Sequence, residues 1–166
     1  KGEGYAVLTA ALAKHPDDPE LIYETALTAE RQGQPEVMEK HLRHLLTLKP
    51  DHAHALNALG YSLAERNIRL DEANELITRA LALAPDDPFI MDSMGWVQFR
   101  QGKLAEALKT LEKAYALRAD PEIAAHLGEV LWTLGRKEEA TRLLSEAATK
   151  SPDNDVLAAA LKKFQP

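Results

Sequence analysis

The chain has 166 residues, 45% of them hydrophobic and 28% charged, with a net charge of −6. That composition supports a folded domain with a core and argues against a disordered chain. The acidic balance, with positive runs no longer than pairs such as Arg136-Lys137 and Lys162-Lys163, argues against nucleic acid as a partner. Cysteine is absent, which removes disulfides, thiolate catalysis and cysteine-based zinc sites. No run is long enough to span a bilayer, and no signal peptide is visible.

Residues 1–18 enter partway through a helical pattern and end at Pro16. They are expected to supply the second helix of an earlier unit, so the chain reads as a piece of a longer one. Units then follow at 19–52, 53–87, 88–120 and 121–154. Each is expected to be a pair of helices. Small residues on the first helices, Ala26, Gly60, Gly95 and Gly128, are spaced by 34, 35 and 33. Each second helix carries a small or apolar pair seven residues apart: Met38/Leu45, Ala73/Ala80, Ala107/Ala114 and Ala140/Ala147. Such self-similarity is the signature of a repeat architecture.

The boundaries are punctuated. Asp18-Pro19, Asp87-Pro88 and Asp120-Pro121 each place a capping carboxylate before proline at the first helical position. Pro16, Pro50, Pro85 and Pro152 follow second helices, which proline cannot continue. The turns inside the units carry Gly33, Asn67, Gly102 and Gly135, types that tolerate a left-handed backbone. The second unit has one extra residue in its turn, near Asn67-Ile68. Residues 155–166 predict a last helix that closes the array, with Lys162 and Lys163 toward solvent. No alternating β-branched run suggests a strand.

With these positions the chain resembles the tetratricopeptide repeat (TPR) family. Leu56, Leu59, Gly60, Ala73, Ala80 and Pro85 match its pattern. So do Met94, Gly95, Gly102, Ala107 and Ala114, and then Leu127, Gly128, Leu131, Gly135, Ala140, Ala147 and Pro152. Unit 19–52 departs most, with Thr25 and Ala26 for Leu-Gly and Met38 for Ala. The resemblance implies one all-α domain over 1–166, a right-handed superhelical solenoid of antiparallel helix pairs whose first helices line a concave groove. It implies a non-enzymatic scaffold or adaptor that holds a protein segment. The alternative is a self-association module with the groove idle, paired through Leu157 and Leu161 of the last helix.

The run from Asn57 to Val97 is similar to the C-terminal repeats of Gram-negative outer-membrane TPR lipoproteins. That implies a periplasmic setting through a lipid anchor upstream of this chain. The partners implied are a carboxyl-terminal processing protease and cell-wall hydrolases. A cytoplasmic location is the alternative.

The family's geometry places groove-facing residues on the first helices. The resemblance thus implies Tyr23, Tyr61, Phe89, Asp92, Trp96, Phe99, Arg100, Glu129 and Trp132 as the partner-binding set. Six of the chain's nine aromatics fall on those places, and aromatic side chains dominate binding hot spots. The competing reading is that some of them pack between repeats. Glu30, Glu65, Asp92, Glu122 and Glu129 outnumber Arg31 and Arg100 there, which favours a partner with basic residues. Some TPR domains clamp a C-terminal carboxylate. Here the clamp places hold Tyr23, Leu27, Ala58, Phe89 and Ser93, or Asn57, Tyr61, Ser93, Glu122 and His126, without the basic residues. His41/His44 and His52/His54 are paired in sequence but lack the cysteine or carboxylate company of a metal site, so no metal and no cofactor are expected. No nucleophile, phosphate-binding or zinc-hydrolase motif marks a catalytic residue.

Overall fold

The computed structural model describes residues 2–164. Every regular element among them is an α-helix: α1 (Gly2–Lys14), α2 (Pro19–Arg31), α3 (Pro35–Leu48), α4 (Ala53–Glu65), α5 (Leu70–Leu83), α6 (Pro88–Arg100), α7 (Leu104–Leu117), α8 (Pro121–Thr133), α9 (Lys137–Lys150) and α10 (Asp155–Lys163). The chain forms two compact units, one through Ala84 and the other from Pro85 onward.

Caps set the starts. Asp18, Asp87 and Asp120 accept backbone N–H groups of Leu21, of Phe89 and Ile90, and of Glu122. Two further caps carried no Asp-Pro signal. His52 caps α4 through Nδ1, which accepts the Ala55 N–H at 3.0 Å, and Asn154 caps α10 by accepting from Leu157. The turns inside the pairs close alike. Lys103 donates back to the Gln98 carbonyl and Gly102 to that of Phe99, with Gly102 at φ +81°. This paired closure satisfies the last carbonyls of the helix. Asn67 repeats it at φ +56°, and the extra residue of that turn brings a second left-handed position, Arg69 at φ +45°.

In the first unit, α2 packs on α3 and α4 on α5, while α1 rests on α2 and α3 on α4. Ile22, Leu42, Leu45, Leu56, Leu59, Leu63 and Ile77 are fully buried or nearly so. Glu39 on α3 ties the outside of this unit together. Its carboxylate accepts from Arg43, Arg66 and Arg69, and Arg43 makes a two-pronged pair with Glu72 on α5 at 2.9 and 3.0 Å. The left-handed Arg69 is thereby anchored to the preceding pair.

In the second unit, α6 packs on α7, α7 on α8, α8 on α9, and α10 on both α8 and α9. The first helices also touch one another, α6 with α8 and α8 with α10. The seven-residue pairs are buried on every second helix from α3 to α9. Opposite them, Gly95 lies so close to α7 that a Cβ there would stand 2.5 Å from Leu111 Cγ. The glycine is needed for approach of the two helices, and a side chain would overpack the joint. Leu157, expected at an exposed pairing end, is fully buried in a cluster with Ala124, Leu144 and Phe164. It is core because α10 folds back onto α8 and α9.

Candidate functional site

The second unit presents α6, α8 and α10 side by side. At α6 the structure gathers Asp92, Trp96, Phe99 and Arg100 into one packed group with His126 of α8. Across this junction the places meet offset by one residue, Asp92 being fifth in its unit and His126 sixth in the next. Asp92 Oδ1 lies 2.8 Å from His126 Nδ1. The Trp96 ring stacks on the His126 ring at 4.3 Å and on Phe99 at 4.9 Å, and the Arg100 guanidinium sits 4.9 Å from its centroid. Cation and stacked rings at these separations attract each other. Asp92 and Trp96 are in consequence only 7% and 5% exposed. Of the aromatics assigned to the groove, Trp96 offers a partner little area as the chain stands.

Phe89, by contrast, is 43% exposed at the start of α6, with the Arg118 guanidinium 5.5 Å from its ring. Phe99 is half-buried and rests against the core of α7 and α8. Trp132 is half-buried at the end of α8. Its ring stacks on Phe164 at 4.8 Å, and Lys137 Nζ lies 5.0 Å from its centroid. Glu129 is engaged by Lys163 of α10. Of the aromatics assigned to the groove in this unit, Phe89 is exposed and Phe99 and Trp132 are half-buried.

In the first unit, Tyr23 on α2 and Tyr61 on α4 are both half-buried. The Tyr23 ring packs at 5.2 Å on His52, which stands edge-on to His54. Burial, and then the Glu24 charge, raise the Tyr23 hydroxyl above its ordinary value. Burial lowers His52, against a backbone hydrogen bond that raises it, with the His54 and Lys49 charges adding to the lowering, a direction that favours the neutral ring whose Nδ1 caps α4. His44 pairs instead with Asp17. Among the described residues no group of three or more His, Asp or Glu side chains could hold a metal ion. No helix among them is long and apolar enough to cross a membrane.

The reading of the sequence weighed His126 only as a clamp place and left it and Phe164 out of the partner-binding set. His126 occupies the sixth place of its unit, where the preceding units carry Glu24, Ala58 and Ser93, so the repeat pattern does not announce it. Phe164 caps the C-terminus of α10, and the apolar spacing Leu157–Ala160–Leu161–Phe164 continues the buried side of that helix.

The sequence profile of the tetratricopeptide repeat matches residues 23–88 and 93–155. A TPR repeat-containing protein of Pseudomonas aeruginosa is 47% identical over 127 residues, which are 76% of this chain and 22% of that protein. The chain thus spans under a quarter of that relative's length. The crystal structure of a thermophilic TPR protein of Thermus thermophilus superimposes with a TM-score of 0.84 at 24% identity, covering 96% of this chain and 88% of that one. A mutant O-GlcNAc transferase of Thermobaculum terrenum matches with a TM-score of 0.73 at 24% identity, over 80% of this chain and 26% of its own. At those identities the two structures establish a shared fold. With its profile matched over most of its length and its helices paired in the same way, this chain belongs to the tetratricopeptide repeat family.

Proposed function

We propose that the chain is a non-enzymatic scaffold that holds a protein segment on the face built by its first helices. The observation that carries this reading is the contiguity of α6, α8 and α10, which sets Phe89, Phe99 and Trp132 along one row of touching helices. Aromatic side chains held rigidly in such a row supply contact area at small entropic cost. The polar groups beside them are already committed to structure, Asp92 to His126 and Glu129 to Lys163. That favours docking over catalysis. The O-GlcNAc transferase shares this fold over a quarter of its own length, so its activity is not carried over with the helices.

The finer reading is an adaptor in a bacterial periplasmic proteolysis or cell-envelope complex, at the outer membrane through a lipid anchor elsewhere in the full protein. Its proposed partners are a carboxyl-terminal processing protease and cell-wall hydrolases. This setting is supported by the resemblance of residues 57–97 alone. The test is a pull-down from envelope extract with the native chain and a Phe89→Ala/Trp132→Ala variant in parallel. The variant is expected to lose the partners that the native chain retains. Equal recovery by both would remove the aromatic face from the function.

A further inference from the structure

The first helices are all capped by side chains, but not by the same chemistry. Asp18, Asp87 and Asp120 start α2, α6 and α8, and Asn154 starts α10. A carboxyl or amide oxygen keeps acceptor lone pairs in every protonation state. α4 alone among the described first helices takes its cap from an imidazole, His52 Nδ1, which accepts the Ala55 N–H at 3.0 Å. A ring nitrogen accepts only while it carries no proton. Neutral His52 therefore has its hydrogen on Nε2, and a second proton can enter only at Nδ1, where the cap bond is.

The surroundings make that proton disruptive. Ala55 is fully buried, so its N–H would lose its acceptor away from water. A cation at position 52 meets the positive end of the α4 dipole, and the first turn of α4 holds no acidic residue to offset it. The charges of His54 on α4 and of Lys49 at the end of α3 oppose it as well. Arg79 of α5 reaches the same turn and donates to the Pro50 carbonyl. Among the described residues the histidines paired with a carboxylate are His44 and His126, not His52. From α2 comes Tyr23, its ring 5.2 Å away and the Glu24 charge near its hydroxyl. Burial lowers His52 below its ordinary value, against the π face of Tyr23 and a backbone hydrogen bond, which favour the cation.

We propose that His52 is a pH-sensitive cap: a proton taken up at Nδ1 releases the Ala55 N–H, loosens the first turn of α4 and frees the Tyr23 ring packed on the imidazole. A histidine lowered in the folded state binds more protons when unfolded. The stabilisation from this cap is therefore complete above about pH 6.5 and fades as pH falls below it. Tyr23 belongs to the partner-binding set, so loosening here alters one end of the first-helix face of the first unit. That consequence rests on the protein-binding reading above. The switch does not, and it is read without a partner.

The test follows the native chain by NMR from about pH 7.5 to about pH 5. At neutral pH, His52 Nδ1 is expected to show the chemical shift of an unprotonated ring nitrogen. The ring is expected to titrate below 6.5, with the Ala55 amide and the Tyr23 ring signals moving at the same midpoint. Over that range the hydrogen-exchange protection of Ala55, corrected for the intrinsic rate, is expected to fall about fivefold. His52→Asn supplies a cap that does not titrate and is expected to hold the protection constant. A protonated Nδ1 at neutral pH, a midpoint at or above 6.5, or equal loss of protection in the native chain and His52→Asn would each overturn the proposal. The expected titration, with no partner recovered at any pH, would uphold the switch and remove the binding reading.

Discussion

Asp92 and His126 are joined side chain to side chain, 2.8 Å apart, across the junction of α6 and α8, with only 10% and 13% of their side chains exposed. The bond fixes the imidazole over which Trp96 stacks. Removing either partner strands the polar group of the other in a buried place, at a cost of about 1–3 kcal/mol. Asp92→Ala and His126→Ala are each expected to lower stability by that amount in urea unfolding. The double variant is expected to cost clearly less than the two added together. His126→Ala is also expected to shift Trp96 emission. Strict additivity would show that the pair is not coupled.

Gly95 and Leu111 set the spacing of α6 and α7. A methyl group at 95 would meet Leu111 Cγ at 2.5 Å. Gly95→Ala is expected to destabilise by about 1–3 kcal/mol through overpacking, although alanine is the better helix former. Adding Leu111→Ala to it is expected to cost less than the sum of the single changes. Gly102→Ala meets no neighbour within 4 Å but demands φ +81° of a residue with a Cβ. Its expected cost is about 1 kcal/mol, from backbone strain alone. Melting curves of the three variants distinguish the two causes.

The Glu39 network makes the first unit acid-sensitive. Burial alone would raise the Glu39 carboxyl, but hydrogen bonds from Arg43 and Arg66, with the charges of Arg43 and Arg69, leave it below its ordinary value. The hydrogen bond from Arg43 lowers Glu72 likewise. A carboxylate lowered in the folded state binds more protons when unfolded, so its stabilisation is complete above about pH 4.5 and fades as pH falls below it. Glu39→Gln is expected to cost about 1 kcal/mol at pH 7, a modest figure because Arg43 and Arg69 are well exposed. The gap between native and variant is expected to narrow in acid. A constant gap from pH 7 to pH 3 in chemical unfolding would show that the carboxylate charge does not contribute.

The periodic elements were legible because they depend on spacing. Ala107 and Ala114, seven apart, face a neighbouring helix in any chain that pairs helices this way, and Asp87-Pro88 starts a helix from its own local chemistry. The cap on α4 was illegible for the opposite reason. His52 accepts the Ala55 N–H through Nδ1, and histidine is not among the residue types that announce a helix cap in sequence.

The candidate face divides on the same line. Sequence by itself determined that Asp92, Trp96 and Phe99, at steps of four and three, share one side of α6. That this side belongs to a groove was implied by the resemblance alone. Only the tertiary structure decided which of them remain open. Trp96 and Asp92 are closed off because the stagger between α6 and α8 brings His126 onto both, while Phe89 has no such neighbour stacked on it. Trp132 is half-closed for a similar reason, because Phe164, about a repeat further along the chain, stacks on it and Lys137 lies over its ring. The local pattern names the faces of each helix. Occupancy of those faces depends on contacts between residues a repeat or more apart, which the fold alone brings together.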